Sequence, residues 1–292
     1  MDVAYQLVNI FCEIDDFCKE FDEYAKHKFF PSNSTERKHG PACGLSDSEI
    51  MTILVAFQTS GYRNFKTFYC GYLTRFFKHY FPSLPTYERF VFLIKKAALP
   101  LLFYSQIHQG KQTGIYYIDS TCLPVCHLKR SRRNKVFKEI AQKGKTSIGW
   151  FFGLKLHIVI NYECQLIAFR ITKGNVHDTK PTENLFKNLS GLAFGDKGYL
   201  GKELFEKLLK NGLKLITRKR KNMNNNTVLD SYEKQLLNQR NIVETVFNKL
   251  KNHYQIWHTR HRSVLNAMTH LLAALVAYIF EPLELSAIKR LS

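Results

Sequence analysis

At Gly114 the apolar residues of this chain change from helical spacing to strand spacing, and few folds accommodate the order of strands and helices downstream of that point. Residues 114–125, 150–161 and 165–172 are rich in β-branched and aromatic residues and lie close in sequence, the pattern of an antiparallel meander. Helices at about 182–189 and 202–210 then alternate with short strands at 192–194 and 213–217, and a long helix runs from about 228–230 to 254. Three strands followed by α-β-α-β-α predict an α/β fold, a mixed sheet with helices packed on it.

Upstream of Gly114 the pattern is helical. Val3, Leu7, Ile10, Phe11, Ile14, Phe17 and Phe21 form one face of an amphipathic helix over residues 1–25, and a polar break follows at 31–41. Ser46, with Glu49 three residues on, has the form of a capping box opening a helix to about Thr59. Further helices are expected at about 64–79 and 86–102. Several helices joined by a short turn at Ser60-Gly61 fit an all-α N-terminal domain over residues 1–110, either of helix-turn-helix type or a packed cap that touches no nucleic acid. Residues 111–292, including the C-terminal helices, form the second domain. The apolar run 268–280 is interrupted by Thr269 and His270 and is shorter than the ~20 residues that span a bilayer, so it reads as a buried helix. No basic leader opens the chain, and the seven cysteines are an odd, scattered set that reads as free thiols in a reducing compartment. Cys122-x3-Cys126-His127 lacks a fourth ligand for zinc.

The net charge is +19, yet residues 1–25 hold one base and seven acids, so the remainder carries +25. Such a surface attracts polyanions, nucleic acid being the commonest, although charge alone does not separate a DNA enzyme from an RNA binder or a membrane-surface protein. Between Lys129 and Lys155 lie nine bases and a single acid, Glu139. This stretch, with Lys129, Arg130, Arg132 and Arg133 at its start, reads as a DNA-binding loop between the first two strands, or else as a solvated charge run. Lys214, Arg218, Lys219, Arg220 and Lys221 make a second basic strip, and Trp257 is placed to stack on an unpaired base or to pack in a turn.

Three acids stand where acids are costly. Asp119 lies mid-strand, and Asp196 follows an apolar strand between Gly195 and Gly198. A carboxylate among strands costs several kcal/mol unless it is paired or bound to metal. A turn or N-cap role is the alternative for Asp196. Glu244 follows Arg240 by four residues on one helix face, with Lys251 two turns further on; an ordinary surface ion pair is the alternative there. Taken together, oxygen-only ligands on a sheet and a helix suit Mg²⁺ or Mn²⁺, and two such ions can drive in-line phosphodiester displacement.

The motifs Tyr117-Ile-Asp119-Ser-Thr, Gly174-Asn-Val-His177-Asp178, Gly195-Asp196-Lys-Gly198-Tyr199 and Arg240-x3-Glu244-x6-Lys251 resemble, in this order, a bacterial insertion-sequence transposase of the DDE superfamily. The resemblance implies a ribonuclease H-like mixed sheet flanked by helices, preceded by the all-α domain. It implies Asp119, Asp196 and Glu244 as the catalytic, metal-binding triad, cleavage at the ends of a mobile element, and strand transfer into target DNA. Arg240 and Lys251 are implied as DNA contacts. His177-Asp178 matches a recurring pair, as structural buttress or near-site DNA contact. Leu237 stands where a related signature has a tyrosine. The expected partners are double-stranded DNA at the element ends and the target, with a homodimer on paired ends and no membrane, in the cytoplasm at the bacterial nucleoid. Neither a Walker-type loop nor a Gly-rich dinucleotide motif is present, so a nucleotide cofactor is not expected. The competing classes are a non-catalytic DNA-binding regulator on the same fold and a structure-specific DNA nuclease.

Overall fold

The structure, a computed structural model, describes residues 3–29, 44–218, 229–257 and 261–283. It divides into two compact units. One is Met1–Ile107 with His253–Gln255 and His261–Phe280; the other is His108–Asn252 with Ile256–Arg260 and Glu281–Ser292.

The first unit is helical: α1 (Val3–Phe29), α2 (Asp47–Thr59), a run of short helical turns from Phe65 to Tyr80, α3 (Tyr87–Leu93) and α4 (Ala98–Ile107). The expected capping box opens α2, with Ser46 Oγ accepting from the Glu49 amide and the Ser46 amide donating to Glu49 Oε2 at 2.7 Å. Ser48 Oγ donates to Asp15 Oδ1 at 2.7 Å, which ties the first turn of α2 to α1. The turn after α2 passes through Gly61 at φ +72°, a conformation that favours glycine. The helix Val264–Phe280 packs against α2 and α4, in the same unit as residues 1–107 rather than with residues 111–252. Its sequence demands this burial: Ala267, Leu271, Leu272 and Leu275 leave it no polar stripe to show to water. The 21 residues from Tyr87 to Ile107 have the length and apolarity of a membrane span, but Phe90, Leu93, Ile94 and Leu101 are buried within the helical unit.

The second unit is built on a mixed sheet. β1 (Ile115–Cys126) lies at its centre, antiparallel to β3 (Trp150–Asn161) on one side and parallel to β5 (Gly191–Gly195) on the other. β6 (Leu213–Thr217) continues parallel to β5. On the far side of β3, β2 (Gln142–Lys145) pairs residues 150–153 and β4 (Leu166–Lys173) pairs residues 154–160. The order β4-β3-β1-β5-β6 is the expected ribonuclease H-like sheet. One face is covered by the short helix Thr182–Leu185 and by α5 (Lys202–Lys210), over Tyr116, Ile118, Val159, Ala193, Leu213 and Leu215. α6 (Ser231–Gln239) packs at β5 and α7 (Ile242–Asn248) at β1.

Two expectations need correction. The basic stretch after Lys129 is no simple loop: Leu128–Arg133 winds as a 3₁₀ turn capped by His127, and β2 makes it the sheet edge. Nor is there one long helix to residue 254. It breaks at Arg240-Asn241, where Val243 and Glu244 donate back only three residues, to the Arg240 and Asn241 carbonyls. Asn competes poorly for helix interiors because its side chain rivals the backbone for hydrogen bonds. After α7 the winding widens to a π-turn over Lys249–His253, which carries Lys251.

Candidate active site

Strand alternation decides what β1 offers to each face. Tyr117 and Asp119 point toward the break between α6 and α7, where the Tyr117 hydroxyl meets Gln239 Oε1 at 3.5 Å. Ile118 and Ser120 point to the opposite face. The parallel register pairs Tyr117 with Phe194, so Asp119 and Asp196 each lie two residues beyond that pair on adjoining strands. Asp196 follows the last residue of β5 and is exposed. Its Oδ1 accepts from the Lys197 amide at 2.7 Å, capping a 3₁₀ turn, so the cap role coexists with its place at the sheet end. Glu244, in the first turn of α7, is also exposed.

Arg240 sits between two of the acids. Its Nη1 is 3.7 Å from Asp119 Oδ2 and its Nη2 is 3.2 Å from Glu244 Oε1. Only 9% of the Arg240 side chain is exposed, so its charge is turned to the carboxylates and not to solvent. Asp119 also accepts from the Ser120 amide at 2.8 Å. Burial nevertheless pushes its carboxyl up to about 6, with Asp196 and Glu244 adding to the rise and the Ser120 amide and Arg240 opposing it. The three acids therefore feel one another. They do not close into a metal-ligating cluster among the described residues.

Lys251 joins this side of the sheet. Its Nζ lies 4.7 Å from the ring of Trp257, whose Nε1 donates to the Cys122 carbonyl of β1 at 3.0 Å. Burial lowers the Lys251 pKa, and Cys122 and Asp119 work against that shift. Trp257 is thus held by β1 and stacks on a cation. Lys129, Arg130, Arg132 and Arg133 are exposed on the 3₁₀ turn. Arg218 is exposed and reaches Asn238 Oδ1 at 3.5 Å, whereas Lys219 and Arg220 lie outside the described residues.

The His177-Asp178 pair splits. His177 is exposed and its Nδ1 lies 2.8 Å from Thr179 Oγ1, a local contact. Asp178 is the member that reaches the sheet: its Oδ1 accepts from Ser120 Oγ at 2.8 Å and from Lys155 Nζ at 3.0 Å. His157 Nδ1 stands 3.9 Å from the same oxygen, with the ring fully buried and its Nε2 paired to Thr172 Oγ1 at 2.9 Å. Burial lowers the His157 pKa to about 4, so its ring is neutral near pH 7. Ser120, Lys155 and His157 escaped the sequence reading. The available signal was Lys155 and His157 alternating on one face of an otherwise apolar strand.

A family profile described as "Transposase DDE domain" matches residues 109–264. Among solved structures, the crystal structure of the Mos1 mariner paired end complex with Mn resembles this chain at 11% identity over 91% of this chain and 88% of that one. Its TM-score is 0.24. A search of curated proteins finds no match. The profile spans more than half of the chain, including Asp119, Asp196 and Glu244, and the protein belongs to the DDE-domain family of transposases.

Proposed function

We propose that this transposase cuts phosphodiesters at the ends of its mobile element and joins the freed 3′-hydroxyl to target DNA, using Mg²⁺ or Mn²⁺ held by Asp119, Asp196 and Glu244. The observation that carries the reading is the state of Asp119. Asp119 is a half-buried carboxylate two residues beyond the Tyr117–Phe194 pair, as Asp196 is on the neighbouring strand, and Arg240 links it to Glu244, so three acids gather where a divalent cation would balance them. The donor set, three carboxylates without sulfur, fits a hard cation in kind. Bound metal would supply activation of the attacking water or hydroxyl and stabilisation of the leaving oxygen.

The chain's own residues supply the rest. Asp119 is fixed by the Ser120 amide and Arg240, so its orientation is set before substrate arrives. Arg240 offsets the repulsion between Asp119 and Glu244. Lys251, stacked on Trp257 where that ring bonds to β1, is placed to meet a DNA phosphate. The exposed bases of the 3₁₀ turn and Arg218 extend a track for double-stranded DNA, and the helical unit, with its turn at Gly61, is the proposed end-binding part. A homodimer would bring two ends together.

Cleavage assays on supercoiled plasmid carrying the element ends test this. Asp119→Asn, Asp196→Asn and Glu244→Gln should each abolish cutting while gel-shift binding of the same DNA survives. A variant that cuts at the wild-type rate removes that residue from the triad. One observation favours a second reading, a DNA-binding regulator that does not cut: Arg240 already balances Asp119 and Glu244 with a fixed positive charge. Calorimetry with Mn²⁺ separates the two, since a regulator balanced by Arg240 binds none.

A further inference from the structure

Asp178 stands behind the strand that carries Asp119, on the opposite face of the sheet. Two of its neighbours, Ser120 and Gly198, belong to the strand of Asp119 and the turn of Asp196. Ser120, the residue after Asp119, donates its hydroxyl to Asp178 Oδ1. Lys155 of β3 donates to the same oxygen and, at 3.0 Å, to the Val176 carbonyl. Thr182 Oγ1 donates to the Asp178 carbonyl at 2.8 Å, fixing the backbone from the helix Thr182–Leu185. The other carboxylate oxygen faces Gly198, two residues after Asp196: a Cβ placed on Gly198 would lie 3.7 Å from Asp178 Oδ2. The Tyr199 ring is buried, and burial together with the charges of Asp119, Asp178 and Asp196 raises its hydroxyl's pKa.

One carboxylate therefore holds the strand of Asp119 through Ser120 and lies close to the turn of Asp196. We propose that Asp178, acting through Ser120, is a positioning residue that sets where Asp119 and Asp196 stand for the divalent cation, without touching the cation itself. The inference rests on the metal-dependent reading of the three acids. Its physical basis is that Ser120 cannot shift without carrying Asp119 along the strand, and that Asp178 holds Ser120 from a face the cation does not occupy. Lys155 balances the charge of Asp178, so the brace adds no free anion behind the site. Such outer partners of metal ligands govern affinity by orienting them.

The test titrates Mn²⁺ alone into the full chain by calorimetry for wild type, Ser120→Ala, Asp178→Ala, Asp178→Asn and the double alanine variant, with thermal melts of each. Ser120→Ala and Asp178→Ala should each weaken Mn²⁺ binding about 10- to 100-fold. The double variant should be no weaker than the worse single, because both break one linkage. Asp178→Asn keeps an oxygen for the Ser120 hydroxyl and should stay near wild type. Equal loss in Asp178→Asn and Asp178→Ala, with Ser120→Ala unchanged, would make Asp178 a direct ligand and overturn the proposal. Lower melting temperatures with unchanged Mn²⁺ affinity would make it a structural brace only, and equally overturn it. Should Asp178→Ala fail to fold, Ser120→Ala and Asp178→Asn still decide. A wild type that binds no Mn²⁺ sinks the metal reading itself and the positioning role with it.

Discussion

Arg240 occupies a position sensitive to change, because its charge is nearly sealed from solvent and is paired with two acids. Arg240→Ala should cost about 1–3 kcal/mol near pH 7, less than a fully buried pair because Glu244 remains exposed. The sign with pH follows from Asp119. Arg240 opposes the rise of its pKa, so the variant's carboxyl moves above its present value of about 6. As pH falls through that value the acid takes a proton, the repulsion vanishes, and the difference between variant and wild type should shrink. Urea unfolding at neutral and mildly acid pH reads this directly, and a difference that grows on acidification would contradict it. At this scale the sequence is informative where a residue type violates its surroundings. Asp119 in a strand and Asp196 after one are visible because carboxylates there need a reason. The link from Asp178 to Ser120 is invisible, since it depends on strand register placing Ser120 opposite His157 and on a turn some sixty residues downstream.

Elements were legible in proportion to how local their causes are. The capping box of α2, the limits of β3 and β6, and the span of α5 follow from propensity and periodicity within a few residues. β2 was missed because Gln-Lys-Gly-Lys has little strand character of its own; it exists because the edge of β3 offers unpaired backbone groups. The break at Arg240-Asn241 is poorly legible for a different reason: a single Asn inside an otherwise helical run is a weak stop signal. Gly153 shows how close this sheet is built. It lies opposite Pro124, next to the irregular register of β1, and a Cβ there would fall 2.1 Å from the Leu123 carbonyl oxygen. Gly153→Ala should therefore open the pairing of β1 with β3 and destabilise the sheet unit by several kcal/mol, within the range of overpacked or strained sites. Hydrogen exchange of the Leu123 and Leu154 amides would detect it, and unchanged protection would refute it.

For the whole molecule, acidity should act on the helical unit through His270. The imidazole is half-buried against Phe57, Phe65 and His261, and burial pushes its pKa from 6.5 to about 3, with His261 adding to the fall. The unfolded chain takes up this proton near 6.5 while the folded one refuses it. Stability from this group is thus complete above 6.5 and lost as pH drops toward 3. Thermal melts of wild type and His270→Asn across that window should converge as pH falls; parallel curves would exonerate the residue. Net charge at this scale predicts how DNA is held: each of Lys129, Arg130, Arg132 and Arg133 that contacts a phosphate should, on replacement by alanine, lower the salt slope of duplex binding by about 1. Overall charge and fold class were readable from composition and element order alone, whereas the placement of the last helix among the first was not, because apolarity says that a helix is buried and not against what. That placement has a consequence for synthesis. The sheet unit draws its strands and its three acids from residues a ribosome has already delivered by position 252. The helical unit is begun first and finished last, its core left open until residues 261–280 have emerged, so a chain stopped short of them would carry all three acids on a complete sheet while its helical unit lacked the last helix.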